Sequence, residues 1–176
     1  MEITKTFIEG LVIIQPKVFE DERGYFMESF KDSFIKKNFP EINFIQDNES
    51  KSSYGVLRGL HFQKPPFEQT KLVRVIEGKI QDVAVDLRKE SPTYGKYYSI
   101  VLSGSNKKQL LVPKGFAHGF LTLSKKAIVS YKVDNQYSPL NDSGIICNDP
   151  QLNINWELNQ QQILVSEKDK SLKQLP

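Results

Sequence analysis

The chain has 176 residues, of which 39% are hydrophobic and 26% are charged, as expected of one globular domain over residues 1–176. The formal net charge is only +3, and no basic block is present, so neither composition nor charge indicates a nucleic-acid partner. No segment approaches the roughly 20 apolar residues that span a bilayer, and the single cysteine, Cys147, fits a reducing compartment, so we expect a cytoplasmic protein without membrane anchor or signal peptide.

The first third of the chain predicts short elements separated by turns. Residues 11–14 are apolar and partly β-branched, which favours a strand. Residues 21–24, Asp-Glu-Arg-Gly, are typical of a turn, and a second strand is predicted over 25–30. A helix is predicted over 32–39, with Asp32 as its cap and a proline after it.

The middle of the chain predicts β-structure throughout. Residues 71–76 and 80–87 are separated by Glu-Gly-Lys, which predicts a hairpin. Apolar and mostly polar residues alternate between Asp82 and Leu87, the period of a half-buried strand. Further strands are predicted over 97–102, 109–112, 119–123 and 128–133.

The spacing of these strands decides the fold class. Many short strands without a linker or an internal repeat indicate an all-β sandwich, barrel or jelly roll. We favour the double-stranded jelly roll, because a closed pocket then has a place between its sheets. Helix is expected only at the periphery, with a second helix near 158–164.

Two histidines, His61 and His118, are the only ones in the chain, and both lie in β segments beside glycine and phenylalanine. A histidine in an apolar strand is more often a hydrogen-bonded core residue than a catalyst. However, Arg58, Gln63 and Lys71 crowd the same stretch as His61, and a core strand rarely carries so many polar groups. We therefore treat the stretch around His61 as a candidate functional site.

The types of residue present argue against metal and nucleophile chemistry. Metal-binding jelly rolls typically have two histidines one residue apart, but the position two after His61 is Gln63. With His118 and Cys147 far along the chain, three strong ligands would require every histidine and the only cysteine. The chain has no Gly-x-Ser-x-Gly elbow and no glycine-rich phosphate loop. What remains is acid–base catalysis without a cofactor.

Acid–base catalysis needs a base, an orienting group, a cation and a proton donor. His61 is the candidate base, since its unperturbed pKa is about 6.5. Lys71 could stabilise an enolate oxygen, Tyr131 could donate a proton and Asp169 could orient the imidazole. The alternatives are a lysine on the rim, a core tyrosine and a solvated charged tail. Spacing along the chain does not choose between these interpretations.

A set of motifs extends from about residue 3 to about residue 170. The motifs are DERGYFMESF at 21–30, QDN at 46–48, GVLRGLHFQ at 55–63, KLVRV at 71–75, DVAVDLR at 82–88, SPTYG at 91–95, VPKGFAHGF at 112–120, NDP at 148–150 and SEKD at 166–169. In this order they resemble the dTDP-4-dehydrorhamnose 3,5-epimerase family. Any one of them would be weak, but together they make an accidental match implausible.

The resemblance implies a metal-free cupin homodimer that needs no cofactor. Its reaction would be the epimerisation of dTDP-4-dehydro-6-deoxy-D-glucose at C3 and C5 to dTDP-4-dehydro-L-rhamnose, in dTDP-L-rhamnose biosynthesis. The resemblance further implies that His61, oriented by Asp169, removes the protons α to the C4 ketone. Lys71 would stabilise the enolate, and Tyr131 would return a proton from the opposite face at C5.

The resemblance also implies a set of residues that bind the sugar nucleotide. They are Arg23, Phe26, Glu28, Gln46, Asn48, Arg58, His118, Asp142 and Lys168. Among them Arg23 and Glu28 are expected to reach across a dimer interface. The family usually has Glu at the position of Asp142, so that contact is one methylene shorter here.

One geometric condition follows from strand periodicity. Regular alternation places Arg58 and His61 on opposite faces of a strand. Both can face one pocket only if the strand bends or bulges between them, and Gly59 is the natural position for that.

Rival functions stay open from the sequence alone. A mono-epimerase acting at C3 or C5 only, or a ketoisomerase of a related nucleotide sugar, is the nearest alternative. A non-catalytic sugar-binding jelly roll and an oxidative metal cupin are more distant alternatives.

Overall fold

The computed structural model describes residues 1–175 and consists mainly of short β-strands. The strands are β1 (Glu2–Lys5), β2 (Val12–Gln15), β3 (Val18–Asp21), β4 (Gly24–Met27), β5 (Gln46–Ser53), β6 (Val56–Gln63), β7 (Lys71–Glu77), β8 (Lys79–Asp86), β9 (Tyr97–Ser103), β10 (Gln109–Val112), β11 (Phe116–Thr122), β12 (Lys126–Val133), β13 (Asp142–Gly144) and β14 (Leu164–Val165). The helices are α1 (Asp32–Asn38) and α2 (Glu167–Lys170), with 3-10 turns over Pro139–Asn141 and Gln160–Gln162.

Two antiparallel sheets face each other across the main core. The first has the order β1-β2-β10-β7-β12-β5, and the second has the order β13-β6-β11-β8-β9, with β14 added in parallel to β6. Buried side chains of both sheets meet between them, Val73 and Val129 from the first and Ile80, Leu102 and Phe120 from the second. The predicted all-β jelly roll is therefore confirmed.

The predicted hairpin over residues 71–87 is wrong. Strands β7 and β8 follow one another but belong to different sheets, since β7 lies between β10 and β12 while β8 lies between β11 and β9. Each strand has both its edges occupied, so neither can pair with the other. Gly78 instead makes the corner between the sheets, with φ of +84°, and a Cβ there would clash with the carbonyl oxygen of Lys126.

Strand β8 is buried on both faces, not half-buried as its alternating pattern predicts. One face lies in the core between the sheets, while Val83 and Val85 on the other face pack under Ile145, Leu152 and Leu175. The segment that follows β13 therefore covers the outer face of the second sheet. A sequence pattern cannot show this, because the covering segment is about 60 residues away along the chain.

The helices are few and peripheral, as predicted. Helix α1 is confirmed, but its N-cap is Lys31 and no side chain caps it, while Asp32 forms an ion pair with Lys36 within the helix. The second helix is not at 158–164, where only the short 3-10 turn forms; it is α2, which Ser166 caps. None of the helices among residues 1–175 is long and apolar enough to cross a membrane.

Strands β3 and β4 form a separate two-stranded sheet at the edge of the fold. Its aromatic residues are unusually exposed, with Phe19 at 52%, Tyr25 at 54% and Phe26 at 67%. The strand predicted over 25–30 is thus shorter, ending at Met27. An isolated hairpin with exposed aromatic rings is marginally stable by itself, so this hairpin is suited to packing against another surface.

Candidate active site

A cavity of about 560 Å³ opens between the two sheets. Its polar lining comes from β5, β6, β7, β11, β12 and the segment around α2, and its floor is apolar. The polar residues are Ser50, Arg58, His61, Lys71, His118, Tyr131, Ser166, Lys168 and Asp169. Eight of the predicted catalytic and binding residues line this cavity or a smaller one that adjoins it. Six of them lie on strands, and two lie in α2 near the end of the chain.

The bend predicted in β6 is present at Gly59. In the pairing with β11, His61 lies opposite His118 and Arg58 lies opposite Phe120, so two residues of β6 oppose one of β11. Gly59 has φ of +128°, and a Cβ there would lie 2.6 Å from the α-carbon of Gly119. The bulge lets Arg58 and His61 line the same cavity, which regular alternation would forbid.

His61 and Asp169 form a hydrogen-bonded pair in which His61 Nε2 lies 2.7 Å from Asp169 Oδ1. The other carboxylate oxygen accepts the backbone N–H of Gly59 at 3.1 Å. Asp169 is only 4% exposed and its own N–H donates to the Ser166 hydroxyl at the start of α2. Two hydrogen bonds therefore hold the carboxylate and a third holds the backbone of Asp169, so this residue does not belong to a solvated tail.

This arrangement sets which nitrogen of His61 can act. A carboxylate is an acceptor, so Nε2 carries the proton towards Asp169, and Nδ1 keeps a free lone pair. The His61 side chain is one-third exposed, at 33%, and it lines the cavity. A base with a free lone pair on a cavity wall is thus formed by two residues 108 positions apart.

Lys71 and Tyr131 line the same cavity from neighbouring strands. Burial lowers the pKa of Lys71 to about 8, although the charges of Asp82 and Asp142 act against this shift. The Lys71 ammonium lies 3.5 Å from the carbonyl of His61. Burial also raises the pKa of Tyr131, and the charge of Arg58 opposes that change. A cation and a protonated phenol therefore stand beside the imidazole at neutral pH.

A second histidine–carboxylate pair borders the same cavity through His118. His118 Nε2 is 2.8 Å from Asp82 Oδ1, and Asp82 is fully buried with its Oδ2 unpaired among residues 1–175. The sequence pattern treated Asp82 only as a member of an alternating strand. Asp82 could have been singled out as a carboxylate in the middle of a strand that has no polar face.

A smaller cavity of about 170 Å³ adjoins the first and shares His61, Lys71, Tyr131 and Lys168 with it. Asp142 lies here, with its Oδ2 2.5 Å from Lys168 Nζ. Burial alone would raise the pKa of Asp142, but the hydrogen bond and charge of Lys168 outweigh it and hold the pKa below its usual value.

Four residues of the smaller cavity were not predicted as site residues. They are Phe62 and Gln63 at the end of β6, Gln69, and Tyr137 in the segment between β12 and β13. Gln63 was noted as a polar residue near His61 and because it stands where a metal-binding jelly roll would have histidine, but no role was predicted for it. Tyr137 had no sequence signal, since one tyrosine in a polar loop is common.

Five of the predicted binding residues line neither of these two cavities. Arg23, Phe26 and Glu28 lie on or next to the exposed β3–β4 hairpin, where Arg23 pairs with Asp21 and Glu28 pairs with Lys31. The other two are Gln46 and Asn48, which lie on β5 at the edge of the first sheet and bond to each other at 2.8 Å.

The donor set around the cavity was also compared with that of a metal centre. No group of three or more His, Cys, Asp or Glu side chains that could hold an ion occurs among the described residues. The two histidines of the site each bond to a different carboxylate. The chemistry that these side chains offer by themselves is proton transfer.

A match to a protein-family model agrees with the motifs, the jelly roll and the cavity with its two histidine pairs. Residues 5–176 match the family model described as dTDP-4-dehydrorhamnose 3,5-epimerase. The chain belongs to this epimerase family. The expectation drawn from the motifs is therefore confirmed at the level of the family and of its enzyme class, an isomerase.

Individual members of the epimerase family resemble the chain over nearly its whole length. The dTDP-4-dehydrorhamnose 3,5-epimerase of Methanothermobacter thermautotrophicus is 52% identical over 97% of this chain and 92% of its own. The Bacillus anthracis epimerase, solved with TDP and PPi bound, has a TM-score of 0.95 at 45% identity, covering 99% of both chains. The Legionella pneumophila 3,5-epimerase, solved with dTDP-4-keto-L-rhamnose, has a TM-score of 0.94 at 46% identity, covering 98% of this chain and 92% of that one.

Proposed function

We propose that the protein epimerises dTDP-4-dehydro-6-deoxy-D-glucose at C3 and C5 to give dTDP-4-dehydro-L-rhamnose, in dTDP-L-rhamnose biosynthesis. The observation that carries the proposal is the His61–Asp169 pair on the wall of a cavity that also holds Lys71 and Tyr131. The 46% identical Legionella enzyme was solved with the keto sugar of this reaction bound, which supports the choice of substrate.

The chemistry follows from the acidity of the substrate. The protons at C3 and C5 are both α to the C4 ketone, so removing either gives an enolate. His61 Nδ1 takes the proton, while Asp169 stabilises the imidazolium that forms. The Lys71 ammonium stabilises the enolate oxygen, and a preorganised donor of this kind contributes roughly 3 kcal/mol to a transition state.

Inversion requires that the proton return from the face opposite the base. Tyr131 is the proposed donor at C5, and its raised pKa keeps the phenol protonated at neutral pH. One group on one face would restore the original centre. At each carbon His61 removes one proton, and one proton that derives from solvent is added on the opposite face, so the reaction balances without an oxidant or a reductant.

The nucleotide is proposed to lie towards the mouth of the cavity. Arg58, His118, Asp142 and Lys168 line the two cavities, and an arginine fork suits a diphosphate. The remaining binding residues are proposed to complete the site at its rim or from a second copy of the chain. They are Arg23, Phe26, Glu28, Gln46 and Asn48.

We also propose that the functional unit is a cytoplasmic homodimer. The β3–β4 hairpin with its exposed aromatic rings, Phe19, Tyr25 and Phe26, lines neither of the two cavities that contain His61. Arg23 at its tip is 85% exposed at the side chain. A hairpin of this kind supports the hypothesis that Arg23 and Glu28 serve the cavity of a second copy.

The overall reaction can be tested with a coupled assay. The protein is incubated with the dTDP-4-keto sugar, and an NADPH-dependent 4-keto reductase traps dTDP-L-rhamnose. We expect turnover by the wild type and a loss of at least about 10²-fold in kcat for His61→Ala, since general base catalysis typically contributes 10²–10⁴-fold. Near-normal turnover by a folded His61→Ala variant would refute the role of His61.

A further inference from the structure

Gln63 is a buried glutamine at the end of β6, only 6% exposed, and its amide oxygen and amide nitrogen each make one hydrogen bond. Its Oε1 accepts the backbone N–H of Ser138 at 2.9 Å. Its Nε2 donates to Asp142 Oδ1 at 3.1 Å. An uncharged amide can accept from one of these groups and donate to the other at every pH, which a carboxylate cannot do.

Through Asp142, this glutamine is linked to the segment that holds the base. Asp142 is the residue opposite Gln63 in the β6–β13 pairing, and its second oxygen accepts from Lys168 Nζ at 2.5 Å. Lys168 directly precedes Asp169 in α2. Gln63 and Lys168 thus hold the Asp142 carboxylate from its two sides.

Through Ser138, Gln63 also anchors the segment between β12 and β13. The 3-10 turn that follows Ser138 contains no buried residue, and Leu140 in it is 96% exposed. Such a segment has little apolar packing to keep it in place. Its hydrogen bonds to residues 63–66 therefore determine where Tyr137 and Asp142 lie relative to the smaller cavity.

We infer that Gln63 is a positioning residue for substrate binding. It orients Asp142 and fixes the 138–142 segment against the cavity, and it acts on the substrate only through these groups. The inference rests on the proposed function, in which Asp142 contacts the sugar nucleotide. None of the hydrogen bonds of Gln63 involves His61, Tyr131 or Asp169, so its removal changes binding more than the chemical step.

Two substitutions separate positioning from packing. Gln63→Met keeps the volume and removes both hydrogen bonds. Gln63→Glu keeps the shape but, when ionised, cannot donate and faces the Asp142 carboxylate. We expect KM to rise about tenfold in both variants at pH 8, as the loss of a hydrogen bond to a charged group predicts, with kcat within about twofold of the wild type.

The pH dependence of KM in Gln63→Glu distinguishes a positioning role from a merely structural one. A merely structural role would not make KM recover as the pH falls. Once protonated, the introduced carboxyl can again donate to Asp142, so KM should return towards the wild-type value as the pH falls from 8 to 5.5. Gln63→Met should show no such recovery relative to the wild type over the same range.

Gln81 provides a matched control. It is also a buried glutamine that accepts a backbone N–H, from Glu157 at 2.8 Å, and donates to the carbonyl of Asn155 at 2.8 Å and to the hydroxyl of Ser99 at 3.0 Å. Gln81→Met should lower the thermal midpoint at least as much as Gln63→Met but leave KM unchanged. An equal rise in KM for both, a loss in kcat alone, or a pH-independent KM ratio in Gln63→Glu would overturn the inference.

The outcomes also distinguish this inference from the proposed function. Wild-type turnover of the dTDP-4-keto sugar tests the function, while the ratio of variant to wild-type KM tests Gln63. If the wild type does not turn over the sugar, the dissociation constant for dTDP replaces KM. An unchanged affinity for dTDP in Gln63→Met would then overturn the role of Gln63 as well.

Discussion

Lys71 illustrates how burial changes the chemistry of a single side chain. An exposed lysine has a pKa of about 10.4, but burial in the cavity lowers that of Lys71 to about 8. The ammonium is thus still the main form at neutral pH and is lost just above it. A lysine with this pKa can stabilise an enolate at pH 7 at a cost to the stability of the fold.

That cost predicts a stability change with a defined sign. Below about pH 8 Lys71 is protonated in both the folded and the unfolded chain, and the buried charge destabilises the fold by a constant amount. Between about pH 8 and 10.5 only the unfolded chain binds the proton, so this contribution to the free energy of unfolding rises with pH. Lys71→Met should therefore be more stable than the wild type at pH 7, by up to about 3 kcal/mol.

Urea denaturation at pH 7 and at pH 9.5 measures this effect. The advantage of Lys71→Met should shrink at the higher pH, while the exposed Lys125→Met should give no such change. A Lys71→Met variant that is less stable than the wild type at pH 7 would contradict the burial of the charge. Activity of the wild type should also fall above about pH 8, where the ammonium is lost.

At the residue scale, the sequence predicted the side chains that line the cavity better than it predicted their hydrogen-bond partners. His61, Lys71, Tyr131 and Asp169 were identified by chemical type and by family resemblance, and they line one cavity. Asp82 was not identified, because its pairing with His118 connects strands 36 positions apart. Hydrogen bonds between distant segments are decided by the packing of the sheets, which no local pattern records.

At the scale of elements, the bulge in β6 is the feature on which the site depends. It turns His61 and Arg58 towards one cavity and also presents the N–H of Gly59 to Asp169. A periodicity rule correctly showed that a regular strand could not do this. The conformation itself depends on the close approach of Gly119 in the next strand.

Gly59→Ala and Gly24→Ala form a matched pair that tests this close approach. Both glycines have nearly the same φ, +128° and +124°, but a Cβ at Gly59 would meet Gly119 at 2.6 Å whereas a Cβ at Gly24 would meet nothing within 4 Å. We expect Gly24→Ala to cost about 1–3 kcal/mol for the backbone alone, and Gly59→Ala a further 1–3 kcal/mol for overpacking. Urea denaturation at equal protein concentrations gives both values. Equal losses in the two variants would show that the contact with Gly119 has no role.

The wrong hairpin at residues 71–87 shows the limit of local patterns at this scale. A short glycine turn between two apolar runs is typical of a hairpin, and it is equally typical of a corner between two sheets. The choice depends on which strands occupy the neighbouring positions, and β10, β12, β9 and β11 take them all. These partners come later in the chain, so the turn itself carries no information about them.

For the whole molecule, the two sheets and the covering C-terminal segment form a scaffold with one open side. The segment that packs on Val83 and Val85 continues into α2 and delivers Asp169 to His61. Fold and site are thus completed by the same stretch of chain. The jelly roll was predictable from the number and spacing of strands, but this cover was not, because its sequence is irregular.

The proposed exchange of hairpins between two copies predicts complementation between two defective variants. In a dimer of His61→Ala with Arg23→Ala, one cavity would combine an intact His61 with an intact Arg23 from the other copy. Random mixing makes half of the dimers hybrid, so denaturing and refolding an equal mixture should recover about one quarter of wild-type activity.

Each variant alone, and each refolded alone, is the control for this experiment. If Arg23 instead served the cavity of its own chain, no hybrid would contain an intact site. A mixture no more active than the two separate variants, with hybrid dimers verified by mass spectrometry, would therefore contradict the shared site.

The central claim is that one base, His61, removes protons at two carbons on either side of a ketone. An NMR time course in D₂O with the dTDP-4-keto sugar tests it directly. The account predicts that the wild type introduces solvent deuterium at both C3 and C5, and that His61→Ala introduces it at neither. Labelling at one carbon only would indicate a mono-epimerase, and undiminished labelling by His61→Ala would contradict the role of His61.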